Sequence, residues 1–228
     1  MPRRALELFS GSGSVGKVFE DAGWLVVSVD NDPRCEATHC VDIREFNYKQ
    51  YPPGFFDFVH CSPPCTEYSV AKTVGVRKLD EADALVLKSR EILRYFKPAF
   101  FVIENPYSGL LKRREVILDL NPLMKRACYC KYSTDANQFL YKKETALWTN
   151  LNWTPRPLCC KGSRCDNYDF ENSRHSAHAQ KGPSGKLPTN NHRTRQLYSI
   201  PPSLIEEWLW AMEDGYSTTA TTGSDDTS

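Results

Sequence analysis

The sequence predicts an α/β fold in which a doubly wound sheet carries a small, irregular insert that contains cysteine and histidine. Short apolar runs bounded by Gly, Pro, Asp or Asn alternate with stretches of helical periodicity in the first half of the chain. After residue 150 this alternation gives way to a basic segment that contains several prolines and glycines. Because strands joined through helices lie parallel, we expect ligands at the carboxyl ends of the strands.

The elements of the first half follow one another at short intervals. The predicted strands are Ala5–Leu8, Leu25–Val29, Phe56–His60 and Phe100–Ile103, with Leu140–Trp148 as a further candidate. The predicted helices are Ser14–Ala22 and Asp80–Tyr95.

Order is expected to return near the C-terminus. Ile200–Met212 reads as an aromatic-rich helix, with Pro201 and Pro202 accepted in its first turn. The stretch from Asp214 is rich in Ser, Thr, Gly and Asp and is expected to be disordered. The chain therefore divides into a main domain at 1–150, the insert at 151–197, a helix that packs back on the main domain at 198–213, and a tail at 214–228.

Composition limits the class of protein. With 228 residues, of which 40% are hydrophobic, the chain is long enough for one domain with a large core. No run reaches the roughly 18 to 20 apolar residues of a membrane span, and the N-terminus lacks the apolar stretch of a secretory signal. The nine cysteines are unevenly spread, which favours reduced thiols. We expect a soluble, intracellular protein.

The net charge of +1 hides a local excess of positive charge in the insert. Between positions 156 and 195, three acidic residues face eight basic ones, namely Arg156, Lys161, Arg164, Arg174, Lys181, Lys186, Arg193 and Arg195. Such a cluster is compatible with contacts to nucleic-acid phosphates. A solvated basic loop is the alternative.

A glycine-rich turn follows the first predicted strand. In the run from Glu7 to Gly16, Gly11 and Gly13 let the backbone approach a ligand closely and leave helix N–H groups available to it. Asp30 ends the next strand, where a carboxylate can accept bonds from ribose hydroxyls. The glycine pattern alone equally suits a dinucleotide, some glycine turns bind nothing, and Asp30 or Asp42 can simply cap a helix.

A cysteine is presented directly after the third predicted strand. Pro63 and Pro64 break that strand and hold Cys65 rigidly at the carboxyl edge of the sheet, which is a nucleophile's position. A structural cysteine would more naturally lie within the strand, as Cys61 does. The next predicted strand leads into Glu104, whose carboxylate would share the crevice with Cys65, although a surface carboxylate is the commoner fate of a lone Glu.

These motifs, in this order, resemble the DNA cytosine-5 methyltransferases. Leu8–Gly13 is similar to the cofactor loop of that family, Ser62–Cys65 to its catalytic loop, Glu104–Pro106 to its Glu-Asn motif and Tyr198–Pro202 to its final motif. The resemblance implies a class I methyltransferase (Rossmann-like) sheet and transfer of a methyl group from S-adenosylmethionine to carbon 5 of cytosine in DNA, through a covalent adduct with Cys65.

The resemblance also implies roles for individual residues. Cys65 and Glu104 would be catalytic, and Asp30 would hold the ribose while Asp42 lies near the adenine. The implied cofactor contacts are Phe9, Gly11, Gly13, Asp30, Asp42, Ile43 and Pro63. The partner would be double-stranded DNA, with the target base flipped out of the helix.

The chain departs from the family pattern in three places. The usual Gln-x-Arg-x-Arg strand is replaced near Tyr141–Thr145, so that Lys143 takes the place of an arginine and is a third candidate catalytic residue. Tyr198 stands where the last motif has Asn, and the target-recognition region is reduced to about residues 151–195. This layout is closest to the small phage- and virus-type members.

Three other functions stay open at this point. Enzymes that methylate exocyclic amino groups also carry a Pro-Pro loop, but they place an aromatic ring where this chain has Cys65. The same chemistry would serve an RNA cytosine methyltransferase. A non-enzymatic accessory protein that binds cofactor and nucleic acid is the third alternative.

The insert also contains soft metal ligands. Cys159, Cys160, Cys165, His175 and His178 suffice for one tetrahedral zinc ion, which would stabilise a segment that has little core of its own. The alternative is reduced cysteines with histidines that face the nucleic acid. We expect Cys128 and Cys130, on an apparent strand, to pack or to lie at its surface.

Overall fold

The computed structural model describes residues 1–134, 141–159, 164–166, 168–171, 174–175 and 197–221. The main sheet consists of β1 (Arg4–Leu8), β2 (Leu25–Asp30), β3 (His39–Cys40), β4 (Phe58–Cys61), β5 (Phe100–Pro106), β6 (Met124–Cys128) and β7 (Glu144–Thr149). The flanking helices are α1 (Ser14–Asp21), α2 (Leu79–Phe96), α3 (Glu115–Leu118) and α4 (Pro202–Thr221). A small hairpin, β8 (Tyr168–Asp169) and β9 (Arg174–His175), belongs to the insert.

The strand order in the sheet is β3-β2-β1-β4-β5-β7-β6. The first five of these strands pair in parallel, and β7 pairs antiparallel with both β5 and β6. The order reverses at β1 and β4, and an open α/β sheet binds its ligands at such a switch point. The predicted doubly wound α/β fold is confirmed.

Side chains of successive strand residues enter two different cores, one on each face of the sheet. Phe58 of β4 packs with Phe19 of α1 and Trp208 of α4, while the next residue, Val59, packs with Val86 of α2. This alternation is the reason that the central strands contain consecutive apolar residues, because both faces are covered by helices.

The helix α4 extends beyond the end predicted for it, so that residues 214–221, expected as part of a disordered tail, are helical. Gly215 lies so close to Phe100 that a Cβ atom there would be 2.9 Å from Phe100 Cζ. The Tyr216 ring packs edge-on against Phe100 with centroids 5.1 Å apart, and Arg3 lies over the Tyr216 ring. These contacts with distant residues stabilise the extra turns.

Other boundaries differ less from the predictions. The strand β5 continues to Pro106, so Glu104 lies inside the strand and not beyond its end. The strand predicted at Leu140–Trp148 is found as β7, with Leu140 outside the described residues. Among the described helices, none is both long and apolar enough to span a membrane.

Candidate active site

A cavity of about 780 Å³ opens at the carboxyl ends of β1, β4 and β5, and a second one of about 210 Å³ adjoins it. The larger volume lies within the usual range for small-molecule sites. Its walls are the glycine loop after β1, the Pro-Pro-Cys loop after β4, Glu104 of β5, the start of β7 and Tyr198. The two cavities share Phe9, Asp30, Pro64 and Thr66.

The glycine loop leaves β1 in an unusual backbone conformation. Phe9, Gly11 and Gly13 all have positive φ angles, of 59°, 50° and 68°, and Gly13 immediately precedes α1. The Asp30 carboxylate holds the loop, because Oδ2 accepts a bond of 2.8 Å from the Gly11 amide and Oδ1 one of 2.9 Å from the Asp32 amide. Asp30 therefore shapes the loop in addition to lining the cavity.

Glu7 lies buried beneath this loop and was not predicted as a site residue. Its carboxyl group accepts bonds from the amides of Val15, at 3.3 Å, and Gly16, at 2.9 Å, in the first turn of α1. Burial raises the pKa of Glu7 to about 8, although these two amide bonds oppose the shift. The only sequence signal is an acidic residue between the apolar strand residues Leu6 and Leu8.

Asp42 and Ile43 line the second cavity and not the first. Ile43 is buried, whereas Asp42 pairs with Arg44 at 2.5 Å and accepts a bond from the Arg44 amide at 2.9 Å. The Arg44 guanidinium lowers the pKa of Asp42 to about 2. The Asp42 carboxylate therefore caps a turn at residues 43–45, and not a helix as the sequence had left open.

Two hydrogen bonds from neighbouring segments hold the loop that carries Cys65. Ser62 Oγ donates to the Phe9 carbonyl at 3.0 Å, and Asn105 Nδ2 donates to the Pro63 carbonyl at 3.0 Å. The Cys65 thiol is partly buried at the cavity wall. Burial raises the pKa of Cys65, the negative charge of Glu104 raises it further, and the positive charge of Lys143 opposes both.

Glu104, Lys143 and Tyr129 form one buried polar group beside Cys65. Lys143 Nζ lies 3.7 Å from Glu104 Oε1, and the Tyr129 hydroxyl donates to the same oxygen at 3.2 Å. Lys143 also lies over the Tyr129 ring, 4.6 Å from its centroid, and donates to the Leu197 carbonyl at 3.3 Å. Tyr129 is a residue that sequence reasoning missed.

His60, near the end of β4, is a third residue that the sequence did not single out. It lines the large cavity, is 1% exposed, and its ring stacks on Trp208 with centroids 6.1 Å apart. Neither ring nitrogen has a hydrogen-bond partner among the described residues. Burial lowers the pKa of His60 to about 3, so the ring is neutral.

The segment before α4 contacts the glycine loop directly. The Ile200 amide donates to Ser14 Oγ at 3.0 Å, and Ser199 Oγ donates to Ser12 Oγ at 3.0 Å. Tyr198, exposed at the mouth of the large cavity, lies next to these contacts. The C-terminal segment therefore closes one side of the site.

Residues 3–126 match the family model of the C-5 cytosine-specific DNA methylases. The chain belongs to this family. Over 225 residues it is 32% identical to the probable DNA (cytosine-5)-methyltransferase of Frog virus 3 (isolate Goorha), and the match covers 90% of this chain and 98% of the viral protein.

Two further proteins resemble this methylase, the first over half of the chain and the second over nearly all of it. The type II methyltransferase M.NgoPII of Neisseria gonorrhoeae is 30% identical over 128 residues, which is 50% of this chain and 36% of that protein. The structure of the Entamoeba histolytica methyltransferase EhMeth superposes with a TM-score of 0.53 at 11% identity, covering 95% of this chain and 99% of the other. The latter likeness concerns the fold alone.

Family membership confirms the class of reaction and of substrate expected from the motifs. The chain is an S-adenosylmethionine-dependent DNA (cytosine-5)-methyltransferase, and DNA is its substrate. The predicted residues Phe9, Gly11, Asp30, Pro63, Cys65, Glu104 and Lys143 all line the large cavity. Gly13 lines neither cavity and is the residue immediately before α1.

The insert of the methylase is only partly described. Arg156, counted among the predicted phosphate contacts, is engaged elsewhere, since its Nε lies 2.7 Å from Glu207 Oε1 and its amide donates to the Tyr132 hydroxyl at 2.9 Å. Arg164 is exposed and lies over the rings of Tyr168 and Phe170. The other predicted basic residues lie outside the side chains that the structure describes, namely Lys161, Arg174, Lys181, Lys186, Arg193 and Arg195.

Three of the five predicted metal ligands come together, with one addition. Cys159, Cys165 and His175 are adjacent, and Cys130 joins them. Cys160 and His178 lie outside the described residues. Cys128 and Cys130 are both buried, so they pack in the interior and do not lie at the surface.

Proposed function

We propose that this methylase methylates carbon 5 of cytosine in double-stranded DNA through a covalent bond between Cys65 and the base. The observation that carries the proposal is the single cavity that Cys65, Glu104 and Lys143 share with the glycine loop. A nucleophile, an acidic partner and a cation beside one ligand-sized space are the parts that this reaction requires.

The same cavity suits S-adenosylmethionine. Phe9 and Gly11, which line this cavity, have positive φ angles that turn the backbone of the loop around it. Asp30 and Pro63 line the wall, and Asp42 and Ile43 line the adjoining cavity, where an adenine would lie. When bound, this donor supplies an electrophilic methyl group on a sulfonium.

Cys65 begins the reaction by adding to carbon 6 of a flipped-out cytosine. The thiol loses its proton, the sulfur forms a bond to carbon 6, and the electron pair of the ring double bond moves toward carbon 5. Carbon 5 then has enough electron density to accept a methyl group. Since burial and Glu104 raise the pKa of Cys65, the positive charge of Lys143 is the feature that favours the thiolate.

Glu104 acts on the opposite side of the base. A proton shared between its carboxyl group and ring nitrogen 3 stabilises the charge that develops on the ring. Tyr129 and Lys143 both contact Oε1, which leaves Oε2 for the base. After methyl transfer the proton on carbon 5 leaves to water or another base, the bond to sulfur breaks, and the thiol regains a proton.

DNA reaches this cavity only with the target base outside the helix, at a flipping cost of a few kcal/mol. The insert supports binding of the polymer, because its positive charges neutralise phosphates. Among the described residues of the insert, Arg164 is the cation that is placed for such a contact.

The test uses DNA that contains 5-fluorocytosine, whose fluorine cannot leave carbon 5 as a proton does, so that the adduct persists. We expect a complex that survives denaturing electrophoresis, that requires S-adenosylmethionine, and that forms with the variant Cys40→Ser, which alters an exposed thiol. The Cys65→Ser variant should form none. A trapped complex with Cys65→Ser would overturn the mechanism, as would a methyl group found on the exocyclic nitrogen by mass spectrometry. Preferential trapping of RNA would show that DNA is not the preferred substrate.

A further inference from the structure

Three cysteines and one histidine from distant parts of the chain meet beside the active-site domain. The ligand atoms of Cys130, Cys159, Cys165 and His175 all lie within 4.8 Å of one another. Cys159 Sγ is 3.6 Å from Cys165 Sγ, which is 3.1 Å from His175 Nε2. The described cysteines form no disulfide.

The separation of Cys159 and Cys165 is that of a tetrahedral centre, and the Cys165–His175 distance is somewhat shorter than an ideal edge. With Zn–S bonds of about 2.3 Å and Zn–N bonds of about 2.0 Å, the edges of a Cys₃His tetrahedron measure roughly 3.5 to 3.8 Å. Three of the four side chains are buried, which suits a closed structural site with no position open to water. We propose that these four side chains bind one zinc ion.

The ligand set differs from the one that the insert alone suggests, because Cys130 comes from the main domain. Cys130 lies in the 3₁₀ turn Tyr129–Tyr132 that follows β6, whereas Cys159, Cys165 and His175 belong to the insert. The ion therefore joins the insert to the domain that holds the catalytic residues. A hydrogen bond of 3.0 Å from Lys131 Nζ to the Arg164 carbonyl also links the insert to this turn.

Cys128 provides a matched control for this ligand set. Its Sγ lies 3.4 Å from Cys130 Sγ and it is equally buried, but it is not one of the four converging ligands. When Cys130 binds a metal as the thiolate, the Cys128 thiol is the group of this pair that can donate a hydrogen bond. Such outer contacts orient a ligand and tune its affinity but are not bonds to the metal.

The first experiment is elemental analysis of the full chain, purified without chelator. We expect about one zinc per chain in the wild type and in Cys128→Ala, and a loss of at least tenfold in Cys130→Ala and His175→Ala. Circular dichroism verifies that each variant is folded. Absence of zinc from the wild type overturns the assignment. It is also overturned if Cys130→Ala retains the metal while Cys128→Ala, Cys160→Ala or His178→Ala loses it.

A second measurement needs no variant. Cobalt(II) is added to the wild-type chain after reduction and treatment with chelator. Strong visible d–d bands, as tetrahedral cobalt gives, should appear together with thiolate-to-cobalt absorption in the near ultraviolet. One equivalent of zinc should remove both absorptions. Weak bands, which indicate octahedral cobalt, would contradict the site even if zinc is present by mass.

Discussion

The Tyr129 hydroxyl donates a hydrogen bond of 3.2 Å to Glu104 Oε1 across the intervening strand β7. Lys143 Nζ lies 3.7 Å from the same oxygen. One carboxylate oxygen is thus held by two groups of different chemistry, and Tyr129 is fully buried. We infer that Tyr129 is a positioning residue that fixes the orientation of Glu104 toward the base.

Replacing Tyr129 by Phe should lower kcat by roughly tenfold, since a lost hydrogen bond to a charged group amounts to about 1.5 kcal/mol. The KM for S-adenosylmethionine should stay within about twofold. Tyr132→Phe, in the same turn but bonded to the Arg156 amide, is the control. Loss of stability without a change in kcat would show a purely structural role.

The thiol of Cys65 should respond in opposite directions to its two charged neighbours. Lys143→Met removes a positive charge and raises the pKa of Cys65, whereas Glu104→Gln removes a negative charge and lowers it. At a fixed pH near neutrality, alkylation by iodoacetamide should slow in the first variant and accelerate in the second. Mass spectrometry of the Cys65 peptide gives the rates.

Lys143→Arg is the matched control for this pair, because it retains the charge and should alkylate at close to the wild-type rate. If the alkylation rate changed in the same direction in Lys143→Met and Glu104→Gln, these two charges would not control the pKa of Cys65 as proposed.

Glu7 should make the stability of the fold depend on pH. Its pKa of about 8 in the folded chain is above the ordinary 4.5, so the folded state retains a proton that the unfolded state releases. The stabilisation is complete below pH 4.5 and is lost as the pH rises through 8. Within that window the free energy of unfolding should fall by about 1.4 kcal/mol per pH unit.

The Glu7→Gln variant should lack this slope, because an amide does not titrate but its oxygen still accepts a bond from the first turn of α1. Denaturant unfolding at several pH values measures the difference, with Glu115→Gln at an exposed position as the control. Parallel curves for wild type and Glu7→Gln would refute the prediction.

Asp30→Asn should weaken binding of S-adenosylmethionine by at least about tenfold. An amide offers one acceptor oxygen, while the Asp30 carboxylate now serves the amides of both Gly11 and Asp32. The glycine loop should therefore loosen, and the melting temperature should drop as well. Asp32→Asn, which disturbs an exposed pair with Arg34, should leave affinity nearly unchanged in calorimetry. Equal affinities in the two variants would count against this role of Asp30.

Two arginines of the insert should differ in their effect on DNA. Arg164→Gln removes an exposed charge, so affinity should fall and the slope of log affinity against log salt should decrease by about 1. Arg156→Gln breaks the pair with Glu207 and should lower the melting temperature without changing that slope. DNA titrations over a range of salt concentrations measure the slope for each variant. A reduced slope for Arg156→Gln alone would show that Arg156, and not Arg164, contacts the phosphates.

The sequence by itself determined the class of fold and the order of the motifs along it. The pattern of apolar strands and helical stretches is local. The glycine loop, the Pro-Pro-Cys loop and Glu104 each lie in or directly after a strand, so periodicity and turn chemistry suffice to place them. Cys65 and the glycine loop could be assigned to one edge of the sheet on that basis, because parallel strands bring their carboxyl ends together.

Only the tertiary structure decided which side chains meet from distant segments. Tyr129 reaches Glu104 over 25 residues of chain, Arg156 pairs with Glu207 over 51, and Cys130 joins ligands of the insert. No local pattern encodes such pairs, because they depend on strand order and on how a turn packs. Burial by the whole fold likewise raises the pKa of Glu7, whose neighbours in sequence are merely apolar.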